Sequence, residues 1–250
     1  MIDLKNVSYE TNSRELFSDV SFAINAGDKI GLVGPNGAGK TTLLKIINGD
    51  IQPTSGDIIS SGEEIGILPQ NLNKWLDKTV YDFIEEVTGV KSAREEFDYQ
   101  CERLTQEASE KTLLAYGEAL ERYEKLEVAN FDTTIKKALS RTALSDIDPN
   151  RRLNTFSGGQ RTRIALAAVF ASRYDLILLD EPTNNLDDSG VILLEDFIDN
   201  SPASFLIVSH DRHFLRNTAE RIIELTGGKG VNKYNLGYDE YIEARREARQ

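Results

Sequence analysis

Two short stretches of the 250-residue chain carry residue types that could do phosphate chemistry. The first is Gly34-Pro35-Asn36-Gly37-Ala38-Gly39-Lys40-Thr41-Thr42. Its glycines let backbone N–H groups turn inward and approach phosphate oxygens closely, and the helix opening behind it adds a positive N-terminal end. In such a loop Lys40 reaches the β- and γ-phosphates, and the Thr41 hydroxyl ligates Mg²⁺. The second stretch is Leu178-Leu179-Asp180-Glu181-Pro182-Thr183. An apolar run ending in two carboxylates sets both at the carboxyl edge of a buried strand, where nucleotides bind in parallel sheets. There Asp180 would hold the Mg²⁺ shell, and Glu181 would orient and deprotonate an attacking water. The reaction these groups serve together is phosphoryl transfer, which asks little of a protein beyond positioning and charge stabilisation.

Such groups need elements to hold them. Lys29–Val33 reads as a short buried strand feeding the loop, and Leu43–Ile47 as the helix that leaves it. Residues 2–7 and 20–24 alternate as half-buried strands, with Tyr9 and a polar turn at 10–14 between them. Two more short strands, 58–60 and 65–68, end at Pro69-Gln70. From about Thr79 to about Leu144 the chain reads as helix, with Thr79 as a cap. Phe97, Cys101, Leu104 and Ala108 share one face, as do Leu113, Tyr116, Leu120 and Tyr123. The polar Ser109-Glu110-Lys111 between these stripes predicts an antiparallel helical hairpin, and a further helix at 133–144 returns the chain. An apolar helix then follows Phe156–Gln160. Strand 176–179, helix 188–199, strand 205–208 and helix 211–219 continue the alternation of a parallel sheet. Residues 221–225 and 230–234 read as closing strands, and the charged tail from Tyr238 to Gln250 as a helix.

Composition narrows the classes. A net charge of −12 argues against a broad nucleic-acid-binding face on this segment. No apolar run approaches the ~20 residues needed to span a bilayer, and the N-terminus lacks a signal-peptide pattern, so work at a membrane would need another chain to span it. A single cysteine, Cys101, excludes an intrachain disulfide framework and fits a reducing, cytoplasmic setting. His210 and His213 do not by themselves make a metal site. Arg151-Arg152 and Arg161-Arg163 are assigned to ordinary surface salt bridging.

Phe156-Ser157-Gly158-Gly159-Gln160 closely resembles the signature sequence of ATP-binding cassette (ABC) ATPases, and every motif of that family occurs here in the right order. The resemblance covers the whole chain. It implies an ABC-type α/β fold, with a mostly parallel core sheet, an antiparallel β subdomain and an inserted helical subdomain. The core would comprise 1–70 and 154–236, the helical subdomain about 71–153, and 237–250 the start of an interdomain linker helix. It also assigns roles. Tyr9 matches the aromatic residue on which adenine stacks, Gln70 the glutamine that contacts Mg²⁺ and water, and His210 the histidine that touches the γ-phosphate. Asn184-Asn185-Leu186-Asp187 matches the loop that crosses a dimer interface. In this family two cassettes sandwich two ATP molecules head to tail, so Ser157–Gln160 would bind the γ-phosphate held by a partner's loop. The implied cofactors are ATP and Mg²⁺, and the implied partner is a second cassette.

Within the family, three stretches are similar to the ABC-F group, soluble twin-cassette proteins that act on ribosomes. They are Glu181-Pro182-Thr183-Asn184-Asn185-Leu186-Asp187, Ser209-His210-Asp211-Arg212-His213-Phe214-Leu215 and Gly237-Tyr238-Asp239-Glu240-Tyr241. Asn185 departs from the group's histidine. The resemblance implies the N-terminal cassette of a larger protein, with Arg245, Arg246 and Arg249 opening the linker and the ribosome as a partner. The alternative is the nucleotide-binding subunit of a transporter. A non-hydrolytic binding module is disfavoured by the presence of both Glu181 and His210.

Overall fold

The structure is a computed structural model that describes residues 1–11, 14–69 and 72–247. Gln70 and Arg249 lie outside the described residues. The chain opens with strands β1 (Ile2–Thr11), β2 (Arg14–Ile24) and β3 (Lys29–Val33), then helix α1 (Lys40–Ile47) and strands β4 (Ser55–Ser60) and β5 (Ile65–Leu68). Helices α2 (Val80–Val87), α3 (Val90–Gln106), α4 (Glu110–Lys125), α5 (Phe131–Arg141) and α6 (Gly158–Ala171) follow. Strand β6 (Leu176–Asp180), helix α7 (Asp188–Asn200), strand β7 (Ser204–Val208) and helix α8 (Arg212–Thr218) come next. Strands β8 (Arg221–Leu225) and β9 (Val231–Tyr234) and helix α9 (Tyr238–Glu247) complete it. The chain divides into two compact units, 1–70 with 175–250, and 71–174.

The first unit holds both sheets. Strands β5, β6, β7, β3 and β8 run parallel in that order, and β9 pairs antiparallel on the edge. Leu176–Leu179 and Phe205–Val208 are buried, as their unbroken apolar runs require of central parallel strands. The topology matters for the site because β7 lies between β6 and β3. Ile207 pairs with both Leu179 and Gly31, so the chain leaving β3 and the chain leaving β6 emerge at one sheet edge.

The second sheet, β2-β1-β4, is antiparallel, and its Leu4, Val7, Phe17, Val20 and Phe22 join Leu43, Leu44, Ile46 and Ile47 of α1 in one core. β1 and β2 extend past the expected 2–7 and 20–24, reaching Thr11 and Arg14. Register shifts between Leu4 and Val7, and again around Tyr9, break the alternation on which the shorter reading rests.

At the far edge, α9 is fixed to the sheet through Glu224 of β8, which is 6% exposed. Its carboxylate accepts from Tyr241 Oη (3.2 Å) and Arg245 Nε (3.0 Å) on α9. Asn232 Nδ2 (3.2 Å) and Tyr234 Oη (3.3 Å) on β9 complete its partners.

The second unit is helical. Thr79 and Asp82 form a reciprocal cap that starts α2, and Ser109 and Thr112 do the same for α4. α3 and α4 form the expected hairpin, with Phe97 stacked near Tyr123 (4.6 Å) and Tyr116 (5.7 Å). The unit runs on to Tyr174, past the expected end near 153, because the apolar α6 packs on α5 and α2. Phe156–Gln160 therefore groups with the helices, outside the unit that carries the phosphate loop.

Candidate functional site

Gly34–Gly39 forms a loop whose shape only glycine permits at its ends. Gly34 adopts φ +155°, and a Cβ there would lie 2.3 Å from the Leu225 carbonyl oxygen. Gly39 adopts φ +93°, and a Cβ would lie 2.8 Å from the Phe17 ring. The loop is thus seated on β8 at one end and on the β1–β2 hairpin at the other.

Lys40 folds back over the loop and donates to the carbonyls of Gly34 (2.9 Å) and Pro35 (3.1 Å). Burial holds its pKa below the usual lysine value, and the nearby Glu181 and Asp180 carboxylates oppose that shift. Thr41 Oγ1 donates to Asp180 Oδ2 at 2.7 Å, joining the start of α1 to the end of β6 across 139 residues of sequence. The two residues that the sequence pairs as Mg²⁺ ligands are thus in contact. A hydroxyl beside a single carboxylate offers hard oxygen donors, and Mg²⁺ is ordinarily held by one or two carboxylates plus substrate phosphates. Among the described residues no cluster of three or more His, Cys, Asp or Glu could hold a metal by itself.

Glu181 follows in the left-handed region, at φ +48°. Its N–H donates to the Val208 carbonyl (2.7 Å), which turns the side chain off the strand and over the sheet edge. Oε2 accepts from the His210 backbone N–H (3.0 Å). Oε1 lies 3.4 Å from His210 Nε2 and is buried without a hydrogen bond. A buried, unpartnered carboxylate oxygen is an acceptor awaiting a donor. A non-glycine residue held at positive φ is also the kind of strain that collects at functional sites.

These groups line one cleft of about 550 Å³, within the size of small-ligand sites. Asn36, Gly37 and Gly39–Thr42 form its floor, with Asp180, Glu181, Asn184, Val208 and His210 on one side and Arg14 and Leu16 on the other. The structure does not join Tyr9 to this lining. Tyr9 is the cross-strand partner of the fully buried Phe17, and its ring packs against Phe17 at 6.4 Å on the inner face of the sheet. Arg14, which the sequence places in a polar turn, and Leu16, which it assigns to no element, stand at the cleft instead. Nothing local marks them, since the Arg14 contact depends on a fold-back over 23 residues.

After Glu181 the chain makes two tight turns, with Asn184 N–H bonded to Glu181 O (3.2 Å) and Leu186 N–H to Thr183 O (3.1 Å). Asn185 sits at φ +63°, and Asp187 caps α7 by accepting from Gly190 N–H at 2.9 Å. In the helical unit Phe156 is buried under the Arg151 guanidinium, 4.4 Å from its ring. Ser157 Oγ accepts from Gln160 N–H (3.3 Å) and Gln160 Oε1 from Ser157 N–H (2.9 Å), a reciprocal cap on α6. Gly158 and Gly159 are exposed, and a Cβ on either would meet nothing within 4 Å.

The sequence model of the family described as ABC transporter matches residues 17–184. The tylosin resistance ATP-binding protein TlrC of Streptomyces fradiae is 36% identical over 100% of this chain and 46% of its own length. The energy-dependent translational throttle protein EttA of Mycobacterium tuberculosis is 35% identical over 98% of this chain and 44% of its own. For the ATP-binding protein Uup of Escherichia coli the figures are 34%, 95% and 32%. The chain thus spans about half, or less, of the length of these relatives. A dimeric ATP-binding cassette solved in a post-hydrolysis state with ADP and Pi superposes with a TM-score of 0.64, covering 95% of this chain and 100% of that one. At 24% identity it shows the shared cassette fold.

Proposed function

The chain belongs to the ABC transporter family, and on that footing we propose that it binds and hydrolyses MgATP as one half of a two-cassette sandwich. The observation that carries this reading is the convergence of Lys40, the Thr41–Asp180 pair and the open Oε1 of Glu181 on one cleft. Backbone N–H groups of the loop, the start of α1 and Lys40 bind the β- and γ-phosphates. Thr41 and Asp180 would hold Mg²⁺, which would supply charge neutralisation to the phosphates. Oε1 of Glu181 receives a proton of the attacking water, while Oε2 stays anchored on the His210 N–H so that the base keeps its aim. His210, whose side chain is 64% exposed, would reach the γ-phosphate, and by the family resemblance Gln70 would contact Mg²⁺ and water.

The exposed Ser157–Gln160 turn binds the γ-phosphate on a partner's loop, with Asn184–Asp187 crossing the same interface. Tyr9 stands as the adenine-stacking residue only if its ring leaves Phe17; otherwise Leu16 is the apolar wall available to the base and ribose. The partner cassette is the other half of the same polypeptide or a second copy of this chain.

For the wider role, the stretches 181–187 and 209–215 and the similarity to EttA, whose name assigns it to translation, support the N-terminal cassette of a soluble ABC-F protein acting on the ribosome. Among the described residues no helix is long and apolar enough to cross a membrane.

Glu181→Gln tests the chemistry. ATP binding is retained, and turnover falls about a hundredfold or more, roughly 2.7 kcal/mol of transition-state stabilisation. Turnover within threefold of the parent protein would remove Glu181 from the role. Co-sedimentation of that variant with ribosomes in ATP tests the wider reading. Recovery with a membrane-spanning partner and no ribosome binding would favour the transporter subunit.

A further inference from the structure

The β1–β2 hairpin ends beside the phosphate loop. Arg14, the first residue of β2, sits opposite Thr11 across its tip, where the Thr11 hydroxyl donates to the Arg14 carbonyl (3.1 Å). The guanidinium then reaches Gly37, and its Nη2 donates to the Gly37 carbonyl at 2.6 Å. Gly37 stands at φ +77°, and a Cβ there would lie 3.3 Å from the same Nη2, so the arginine lies directly against the loop.

Three further facts bear on what it does there. Arg14 lines the same cleft as Lys40, Thr41 and Thr42. It forms no ion pair with any described carboxylate. Lys40, the other cation of the cleft, is committed to two loop carbonyls. A triphosphate brings about four negative charges, and a guanidinium offers five donors in a planar fork suited to phosphate oxygens. One of those donors is on Gly37, and the others are available to a ligand.

We propose that Arg14 is a second phosphate-binding residue of the cleft, contacting the nucleotide polyphosphate while its Nη2 stays on the Gly37 carbonyl. Bound nucleotide thereby ties the hairpin to the loop. The assignment rests on the nucleotide reading above and adds to it a residue from outside the loop.

The test compares Arg14→Gln and Arg14→Lys with the parent chain by titration with MgATP at two salt concentrations. Glutamine removes the charge together with the reach to Gly37; lysine keeps the charge. Arg14→Gln should weaken MgATP about tenfold and flatten the salt dependence, with KM rising more than kcat falls. Arg14→Lys should recover most of the affinity. Because Arg14 is exposed at a hairpin tip, melting curves should superimpose. Affinity and salt dependence of Arg14→Gln within twofold of the parent would overturn the proposal and leave the guanidinium as a hairpin latch. Failure of the parent chain itself to bind MgATP would instead overturn the nucleotide reading, and this assignment with it.

Discussion

Gly159→Ala separates what the cassette needs for itself from what it holds ready for a partner. Gly159 lies in the first turn of α6 with ordinary negative φ, and an added methyl meets nothing within 4 Å. Glycine in a helix costs about 0.5–1 kcal/mol relative to alanine, with the lower figure apt for a terminal turn. The isolated chain should therefore gain about 0.5 kcal/mol, or about 1–2 °C in Tm for a protein of this size. Ser157 and Gln160 already satisfy each other, so the cap survives the change. If a partner's γ-phosphate must approach this turn, the same methyl occupies the space it needs. ATP-dependent pairing should then be lost, and hydrolysis should fall at least about tenfold. Thermal melts of the variant give the first number, light scattering with ATP in the Glu181→Gln background the second, and phosphate release the third. A higher Tm with pairing and turnover unchanged would refute the reasoning, because the glycine would then have no function. A lower Tm would show that something within the chain requires it.

Two other outcomes follow from the cleft. Lys40 is held below the usual lysine pKa chiefly by burial, against the pull of Glu181 and Asp180, and only its charged form attracts phosphate; MgATP affinity should therefore fall as pH rises through that lowered value. Glu181→Gln removes one of the charges that sustain the ammonium, so calorimetric titrations across pH should show the decline beginning at lower pH; identical profiles would uncouple the two residues. Gly34→Ala places a Cβ 2.3 Å from the Leu225 carbonyl at φ +155°, which neither backbone can absorb without moving. It should destabilise the fold by more than about 1 kcal/mol and abolish nucleotide binding, and a soluble variant that still binds MgATP would contradict the seat described for the loop.

What the sequence disclosed depended on range. The phosphate loop, the acidic strand end and the alternation of strands and helices are local patterns, and the structure places them at one sheet edge. Ser109-Glu110-Lys111 is legible as a break because polar residues there interrupt two apolar stripes, and in the structure Ser109 caps α4. The hairpin looks short in the sequence because bulges at Leu4–Val7 and around Tyr9 interrupt the period of two. The second unit ends later than composition indicated, because α6 is apolar enough to belong to either unit and only its packing on α5 decides. Tyr9 and Arg14 show the limit most clearly. An aromatic at a strand end and an arginine in a polar turn carry no mark of their direction, and cross-strand pairing turns Tyr9 onto Phe17. Only the folded chain brings Arg14 to Gly37.

The carboxylate of Glu224 makes α9 a rigid handle. Two of its four partners, Tyr241 and Arg245, belong to that helix, so detaching the helix would strand a buried charge at a cost of several kcal/mol. The next residue in β8, Leu225, supplies the carbonyl against which Gly34 is seated. Torque applied through α9 is therefore borne by the strand that underlies the phosphate loop, one residue from the loop's own footing.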